Sequence, residues 1–67
     1  MKITLNGIST ETDASTVAEL LKSLNVPAER KGTAIAVNDG VVPRSRWDVT
    51  TLREGDRVEV IRAAQGG

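Results

Sequence analysis

The sequence ends in two glycines, and the carboxyl group of the last one is the best candidate for a reactive group in the chain. The chain has 67 residues and finishes at Gly66-Gly67. An α-carboxyl group has a pKa of roughly 3.3–3.7, so it is ionised at neutral pH and is then a poor electrophile. If this carboxylate attacked the α-phosphate of ATP, the resulting acyl-adenylate would accept an amine, a thiol or a sulfide. The tail therefore offers acyl-transfer chemistry on a carboxyl group that the protein itself carries.

Glycine suits a reactive tail for a steric reason. Without a Cβ atom, Gly66 and Gly67 can enter a narrow channel and adopt backbone angles that other residues avoid. We predict that Gly67 is the modified residue and that Gly66 provides clearance for it. Because a tail loses entropy when it docks, the folded body of the protein must supply the binding energy.

The sequence lacks the residues on which most catalytic sites are built. It has no cysteine and no histidine, which excludes thiolate nucleophiles, a Ser-His-Asp triad and the common zinc ligand sets. Asp39, Asp48 and Asp56 are scattered through turns, where carboxylates usually cap the backbone. We therefore expect a chain that is not an enzyme and that binds no metal or cofactor. Any ATP would be used by a partner enzyme.

Composition also restricts the partners and the location. Nine basic and nine acidic residues cancel, and Trp47 is the only aromatic residue, so neither a basic patch nor a base-stacking platform is predicted. No apolar stretch approaches the roughly 20 residues that span a bilayer. The first residues follow a strand pattern rather than that of a signal peptide. We expect no nucleic-acid or membrane partner and a cytoplasmic location.

The elements that must position the tail follow from hydrophobic periodicity. Strand patterns cover residues 2–5, 8–12, 33–38, 41–42 and 57–62. Asn6-Gly7 and Asp39-Gly40 are hairpin turn signals between neighbouring strands. Pro43 makes the fourth strand short and places it at an edge of the sheet.

One helix is predicted between the two strand pairs. Thr16 and Glu19 have the spacing of a capping box at its start, and Asn25 followed by Pro27 can end it. The residues between them form one apolar stripe, which must lie on the sheet: Val17, Leu20, Leu21 and Leu24.

This order of elements predicts an α+β fold in which a mixed sheet packs on one helix. The helical crossover allows the first and last strands to pair in parallel at the centre of the sheet. The arrangement is the β-grasp, or ubiquitin-like, architecture. Residues 1–62 are predicted to form the β-grasp domain, and residues 63–67 a flexible C-terminal Gly-Gly tail.

Several short segments follow a recognisable pattern along the chain. They are Ala36-Val37-Asn38, Val41-Val42-Pro43-Arg44 with Trp47 three residues on, Leu52, Glu54-Gly55-Asp56, Val58-Glu59-Val60 and Gly66-Gly67. In these residues and in its length the chain resembles the ThiS family, the small sulfur carriers of thiamine biosynthesis.

The resemblance implies three partner enzymes. An E1-like adenylyltransferase would activate the carboxylate of Gly67 with ATP, and a sulfur-relay enzyme would convert the adenylate to a thiocarboxylate. Thiazole synthase would then receive the sulfur. A molybdopterin synthase small subunit, a carrier for cysteine biosynthesis and a protein-conjugating modifier are alternatives within the same class. A β-grasp interaction module with an inert tail is an alternative of another class.

Four further residues are singled out as contacts or core. Ile61 is opposite in phase to Val58 and Val60, so it is predicted on the open sheet face and could join a docking patch. Arg44 and Arg46 either steer an acidic partner or form a solvated loop pair. Trp47 is either a partner anchor or, as is commoner for a lone tryptophan in a small domain, part of the core.

Overall fold

A computed structural model describes residues 1–26 and 32–62 of the chain. The elements in chain order are β1 Lys2–Leu5, β2 Ile8–Glu11, α1 Val17–Ser23, β3 Thr33–Val37, β4 Gly40–Val42, a 3-10 helix at Arg44–Arg46 and β5 Arg57–Arg62. The strands form one five-stranded sheet in the order β2-β1-β5-β3-β4. This is the predicted α+β, β-grasp arrangement. The predicted flexible tail, residues 63–67, lies outside the described residues.

The first and last strands pair in parallel at the centre of the sheet. Thr4 faces Arg57 and Leu5 faces Val58 in this pairing. The amide of Thr4 donates to the carbonyl of Asp56 at 2.9 Å. The other neighbouring pairs in the sheet are antiparallel. The predicted central parallel pair is therefore confirmed.

Two tight turns close the hairpins, and only one of them lies where the sequence predicts it. Asn6 and Gly7 both have positive φ angles, 49° and 81°, as a type I′ turn requires. In the second hairpin the positive φ angles fall on Asn38 and Asp39, at 50° and 71°. The prediction of an Asp39-Gly40 turn is therefore wrong by one residue, since Gly40 already begins β4.

Side-chain hydrogen bonds explain the shift of the second turn. The Oδ1 atom of Asn38 accepts from the amide of Arg57 at 2.9 Å, and the carboxylate of Asp39 accepts from the Arg57 guanidinium at 2.9 Å. Asn and Asp tolerate the left-handed region when their short side chains find such partners.

The start of α1 is capped by its own side chains and by the loop after β4. The amide of Glu19 donates to the Thr16 hydroxyl at 3.2 Å, as the capping box predicts. The Glu19 carboxylate accepts from the amide of Ser15 at 2.8 Å, one residue before the N-cap. The amides of Val17 and Ala18 donate to carbonyls of the loop at 3.0 and 2.9 Å. All of these amides would otherwise lack an intrahelical partner.

The helix ends in a Schellman motif. Asn25 has a φ angle of 61°, and its amide donates to the carbonyl of Lys22 at 3.0 Å. The amide of Val26 reaches back to the carbonyl of Leu21 at 2.9 Å. The prediction that Asn25 ends the helix is confirmed, and Pro27 lies outside the described residues.

A single apolar core lies between the helix and one face of the sheet. Three of the four stripe residues are buried, and Leu24 packs against them from the edge. The buried members of this core are Ile3, Ala14, Val17, Leu20, Leu21, Val26, Ile35, Trp47, Leu52 and Val58. Because the chain has no cysteine, this core and the hydrogen bonds around it must hold the domain together.

Substitution of a fully buried leucine of the stripe should cost a large share of the stability. For Leu20→Ala we expect a loss of about 2–5 kcal/mol in the free energy of unfolding, because a cavity remains in the core. Urea unfolding followed by circular dichroism measures it. The control is Leu24→Ala, at a partly buried site, which should cost clearly less. Equal losses in the two variants would contradict this description of the core.

Candidate functional site

The functional site predicted from the sequence begins where β5 ends. Gly66 and Gly67, the predicted clearance and modified residues, lie outside the described residues. The structure does describe the strand from which they continue. We call residues 60–62, the last three of β5, the tail root.

The tail root is held on both sides by different kinds of contact. On the β3 side, regular antiparallel pairing continues to the end, with Thr33 opposite Arg62. On the β1 side, the described strand pairing stops at Leu5 and Val58. The Asn6 side chain then continues the contact, because its Oδ1 atom accepts from the amide of Val60 at 2.8 Å. Its Nδ2 group donates to the carbonyl of the same residue at 3.3 Å.

The Glu54-Gly55-Asp56 segment before β5 has a structural role. The Glu54 carboxylate accepts from the amide of Lys2 with both oxygens, at 3.0 and 3.1 Å. The amide of Gly55, whose φ angle is 86°, donates to the carbonyl of Lys2 at 2.8 Å. The Asp56 carboxylate accepts from the Arg53 amide and from the Asn38 side chain. These bonds fix the start of β5 against the start of β1.

Small and branched apolar residues share the sheet face that the helix leaves open. Opposite residues of antiparallel strands point to the same side, and β3 pairs Ala34 with Ile61 and Ala36 with Val41. Ile61 is 58% exposed and Val41 is 77% exposed. We call these four residues the open-face patch.

The position of Ile61 on the open face agrees with the phase of β5 in the sequence, because Val58 is buried and Val60 packs on the core. Its role as a partner contact stays a prediction. Its companions in the patch, Ala34, Ala36 and Val41, were not predicted from the sequence. The alternation of residues along β3 and β4 shows which residues of one strand share a face. It does not show which residues of the two strands lie side by side until the register between the strands is known.

The two predicted arginine contacts lie in different surroundings. Both are exposed on the 3-10 helix. The guanidinium carbon of Arg44 is 5.0 Å from the centroid of the Trp47 ring, within the range of a cation–π contact. Arg46 lines a shallow depression with Asn38 and Asp56, at the end of the sheet where β5 begins. With about 3.3 Å per residue along a strand, that end is on the order of 17 Å from the tail root.

Trp47 is part of the core. It is 3% exposed, and its indole nitrogen donates to the carbonyl of Val42 at 2.9 Å. Its own carbonyl accepts from the amide of Ala18 at 2.9 Å, at the start of α1. The loop after β4 is therefore tied to both the sheet and the helix. The interpretation of Trp47 as core is confirmed.

Comparison with known proteins agrees with this geometry over nearly the whole chain. The sequence model of the ThiS family matches residues 3–67. The chain belongs to the ThiS family. It is also 35% identical over 52 residues to the sulfur carrier protein ThiS of Escherichia coli strain K12, a match that covers 78% of this chain and 76% of that protein.

Two solved structures described as thiamine biosynthesis proteins from Geobacter metallireducens are similar to the ThiS-family fold seen here. A crystal structure of the ThiS protein superposes with a TM-score of 0.81 at 34% identity and covers 100% of both chains. A solution NMR structure gives a TM-score of 0.81 at 35% identity and covers 100% of this chain and 88% of that one. The likeness therefore extends over the whole architecture.

The rest of the described surface of this ThiS-family chain offers little chemistry. Within residues 1–26 and 32–62, no group of three or more acidic residues is placed to hold a metal ion. No helix in these ranges is long and apolar enough to cross a membrane. A depression of about 640 Å³ lies between β2 and α1, where the apolar Ala14, Leu20 and Leu24 meet charged side chains.

The amino group of Met1 has a perturbed pKa, and it lies at the end of the sheet where β1 begins. Its hydrogen bond to the Glu11 carboxylate, at 3.1 Å, raises the pKa of this group above its usual value. The tail root is at the opposite end of the central strands, since β1 and β5 run in parallel. This charge pair therefore belongs to the β1–β2 hairpin and not to the predicted site.

A test of Trp47 separates a core role from a partner contact. Trp47→Phe keeps an aromatic ring but leaves the carbonyl of Val42 without its donor, so we expect a loss of about 1–3 kcal/mol in the free energy of unfolding. Chemical denaturation measures it. Ser45→Ala, an exposed change on the same 3-10 helix, should stay within about 0.5 kcal/mol. Unchanged stability in Trp47→Phe would contradict the structural role.

Proposed function

We propose that this chain is a sulfur carrier of thiamine biosynthesis and that the α-carboxylate of Gly67 is the group that carries the sulfur. The observation that supports the proposal most is the family match over residues 3–67, which includes the Gly-Gly end. The E. coli relative bears the name sulfur carrier protein, and both Geobacter structures are described as thiamine biosynthesis proteins.

The proposed cycle has two chemical steps at one carbonyl. The Gly67 carboxylate attacks the α-phosphate of ATP, and pyrophosphate leaves with formation of an acyl-adenylate. Sulfur at the oxidation level of sulfide then attacks the carbonyl carbon, AMP leaves, and a thiocarboxylate remains. Sulfur thus replaces one carboxylate oxygen and becomes a soft nucleophile attached to the protein.

In this proposal the chemistry belongs to the partner enzymes. The chain has no cysteine or histidine to act as nucleophile or general base. An E1-like adenylyltransferase would use the ATP, a sulfur-relay enzyme would deliver the sulfur, and thiazole synthase would accept it. We place this exchange in the cytoplasm. The domain serves as a handle that each enzyme holds while the tail reaches its active site.

The handle is proposed to be the open-face patch together with Arg44 and Arg46 on the 3-10 helix. Ile61 lies in the tail root, so an enzyme that contacts the patch is close to the origin of the tail. Arg44 and Arg46 would add attraction to an acidic surface. Because Arg46 lies at the far end of β5, it would contact a different part of the partner from Ile61.

The carrier chemistry can be measured directly by mass. After incubation with ATP, an E1-like adenylyltransferase and a sulfide donor, the intact protein should gain the mass difference between one sulfur and one oxygen atom. Deletion of Gly67, or addition of one residue after it, should abolish the gain while the fold stays intact. An unchanged mass for the wild-type chain would sink the proposal and favour an interaction module with an inert tail.

The docking role of Ile61 has a matched control in the same sheet. Ile8 is also exposed, 68% against 58% for Ile61, but it lies on the edge strand β2 and outside the patch. A central contact residue contributes on the order of 1–2 kcal/mol, so Ile61→Ser should raise the KM of the adenylyltransferase for the carrier about 5- to 30-fold. Ile8→Ser should leave it unchanged. Equal effects of the two substitutions would remove Ile61 from the interface.

A further inference from the structure

Asn6 makes a contact that its turn does not require. A type I′ turn needs residues that tolerate positive φ, and Asn6 meets this need at 49° with its backbone alone. Its side chain nevertheless forms two hydrogen bonds with the backbone of Val60. The Val60 amide donates to Oδ1 at 2.8 Å, and Nδ2 donates to the Val60 carbonyl at 3.3 Å.

This contact replaces a backbone hydrogen bond that is missing from the parallel pairing of β1 and β5. The amides of Thr4 and Asn6 donate to the carbonyls of Asp56 and Val58, each at 2.9 Å, in the regular sequence of a parallel pair. The next bond along β5 would need the chain of β1 to continue straight, but it turns away at Asn6. The side-chain amide, which has the same donor and acceptor groups as a peptide unit, supplies the bond instead.

A second asparagine, Asn38, forms side-chain hydrogen bonds at the other end of β5. Asn38 has a φ angle of 50°, almost that of Asn6. Its Oδ1 atom accepts from the amide of Arg57 at 2.9 Å, and its Nδ2 group donates to the Asp56 carboxylate at 3.0 Å. The strand is thus clamped at its start by Asn38 and towards its end by Asn6. Only the Asn6 clamp adjoins the tail.

We propose that Asn6 is a positioning residue for the tail: its grip on Val60 fixes the point and direction from which the chain leaves the sheet towards Gly67. This inference rests on the proposed carrier function. β5 stays paired with β3 as far as Arg62, and the five residues after it can reach on the order of 17–18 Å when extended. A shift of their origin therefore moves the whole volume that the carboxylate can search. Without the clamp, the β1 side of the tail root must be ordered again whenever an enzyme receives the tail.

The proposal predicts a specific kinetic change. Loss of the clamp weakens recognition of the carrier but leaves the chemistry at the carboxyl unaltered. For Asn6→Gly we expect the KM of an adenylyltransferase for the carrier to rise about three- to tenfold, the change that one or two neutral hydrogen bonds correspond to. The kcat for pyrophosphate release should stay the same.

The matched control is Asn38→Gly. Both substitutions put glycine at a positive φ angle that glycine accepts without strain, and both remove two side-chain hydrogen bonds to groups around β5. The two variants should therefore lose similar stability, while Asn38→Gly leaves the KM within about twofold. Asn6→Asp keeps the acceptor for the Val60 amide but turns a carboxylate oxygen towards the Val60 carbonyl, so it should recover only part of the affinity.

Hydrogen exchange provides a readout that does not depend on any enzyme. The amide of Val60 should exchange faster in Asn6→Gly than in the wild type, and the amide of Arg57 should respond in Asn38→Gly instead. If the wild-type chain is not activated by any E1-like adenylyltransferase, the carrier function fails, and the exchange rates still test the clamp. Unchanged Val60 exchange in Asn6→Gly, or an equal rise of KM in both glycine variants, would overturn the role of Asn6.

Discussion

The parallel pairing of β1 and β5 is the constraint on which the rest of the structure depends. These two strands are far apart in sequence, and they meet at the centre of the sheet with only two paired positions, Thr4 with Arg57 and Leu5 with Val58. The other strands lie outside this pair: β2 pairs with the outer edge of β1, and the β3–β4 hairpin pairs through β3 with the outer edge of β5. The helix crossover then covers one face and buries Ile3 and Val58 beneath it. Parallel pairs are slightly weaker per residue than antiparallel ones. A parallel pair as short as this one therefore needs further stabilising contacts.

Side chains provide that reinforcement. Glu54 binds the amide of Lys2, Asn38 binds the amide of Arg57, and Asn6 binds the amide of Val60. Each is a bond from a side chain to the backbone between segments that are distant in sequence. Individually such exposed bonds contribute little, on the order of 1 kcal/mol. Together they connect β5 and the turn before it to β1 and to the two hairpin turns.

The local parts of this fold could be predicted from the sequence, and the distant partners could not. The alternation around Ile3, the Asn6-Gly7 turn and the stripe through Leu20 each depend on neighbours within a few residues, so their patterns are legible. The second turn was misplaced by one residue because Asn38 is held by Arg57, 19 positions away. The contact of Glu54 with Lys2 spans 52 positions and leaves no periodic signal. Of the predicted site, the open-face position of Ile61 follows from strand phase, whereas its companions depend on the register between strands.

The parallel central pair also determines where the two termini of the domain lie. Because β1 and β5 run in the same direction, Met1 is at one end of the sheet and Arg62 is at the other. A fluorophore, affinity tag or fused protein attached before β1 would therefore stand at the end of the sheet opposite Arg62. Such an attachment changes the amino group and its hydrogen bonds to the Glu11 carboxylate and the Thr12 carbonyl. The topology thus makes the amino end the natural place to immobilise this domain while its carboxyl end remains accessible.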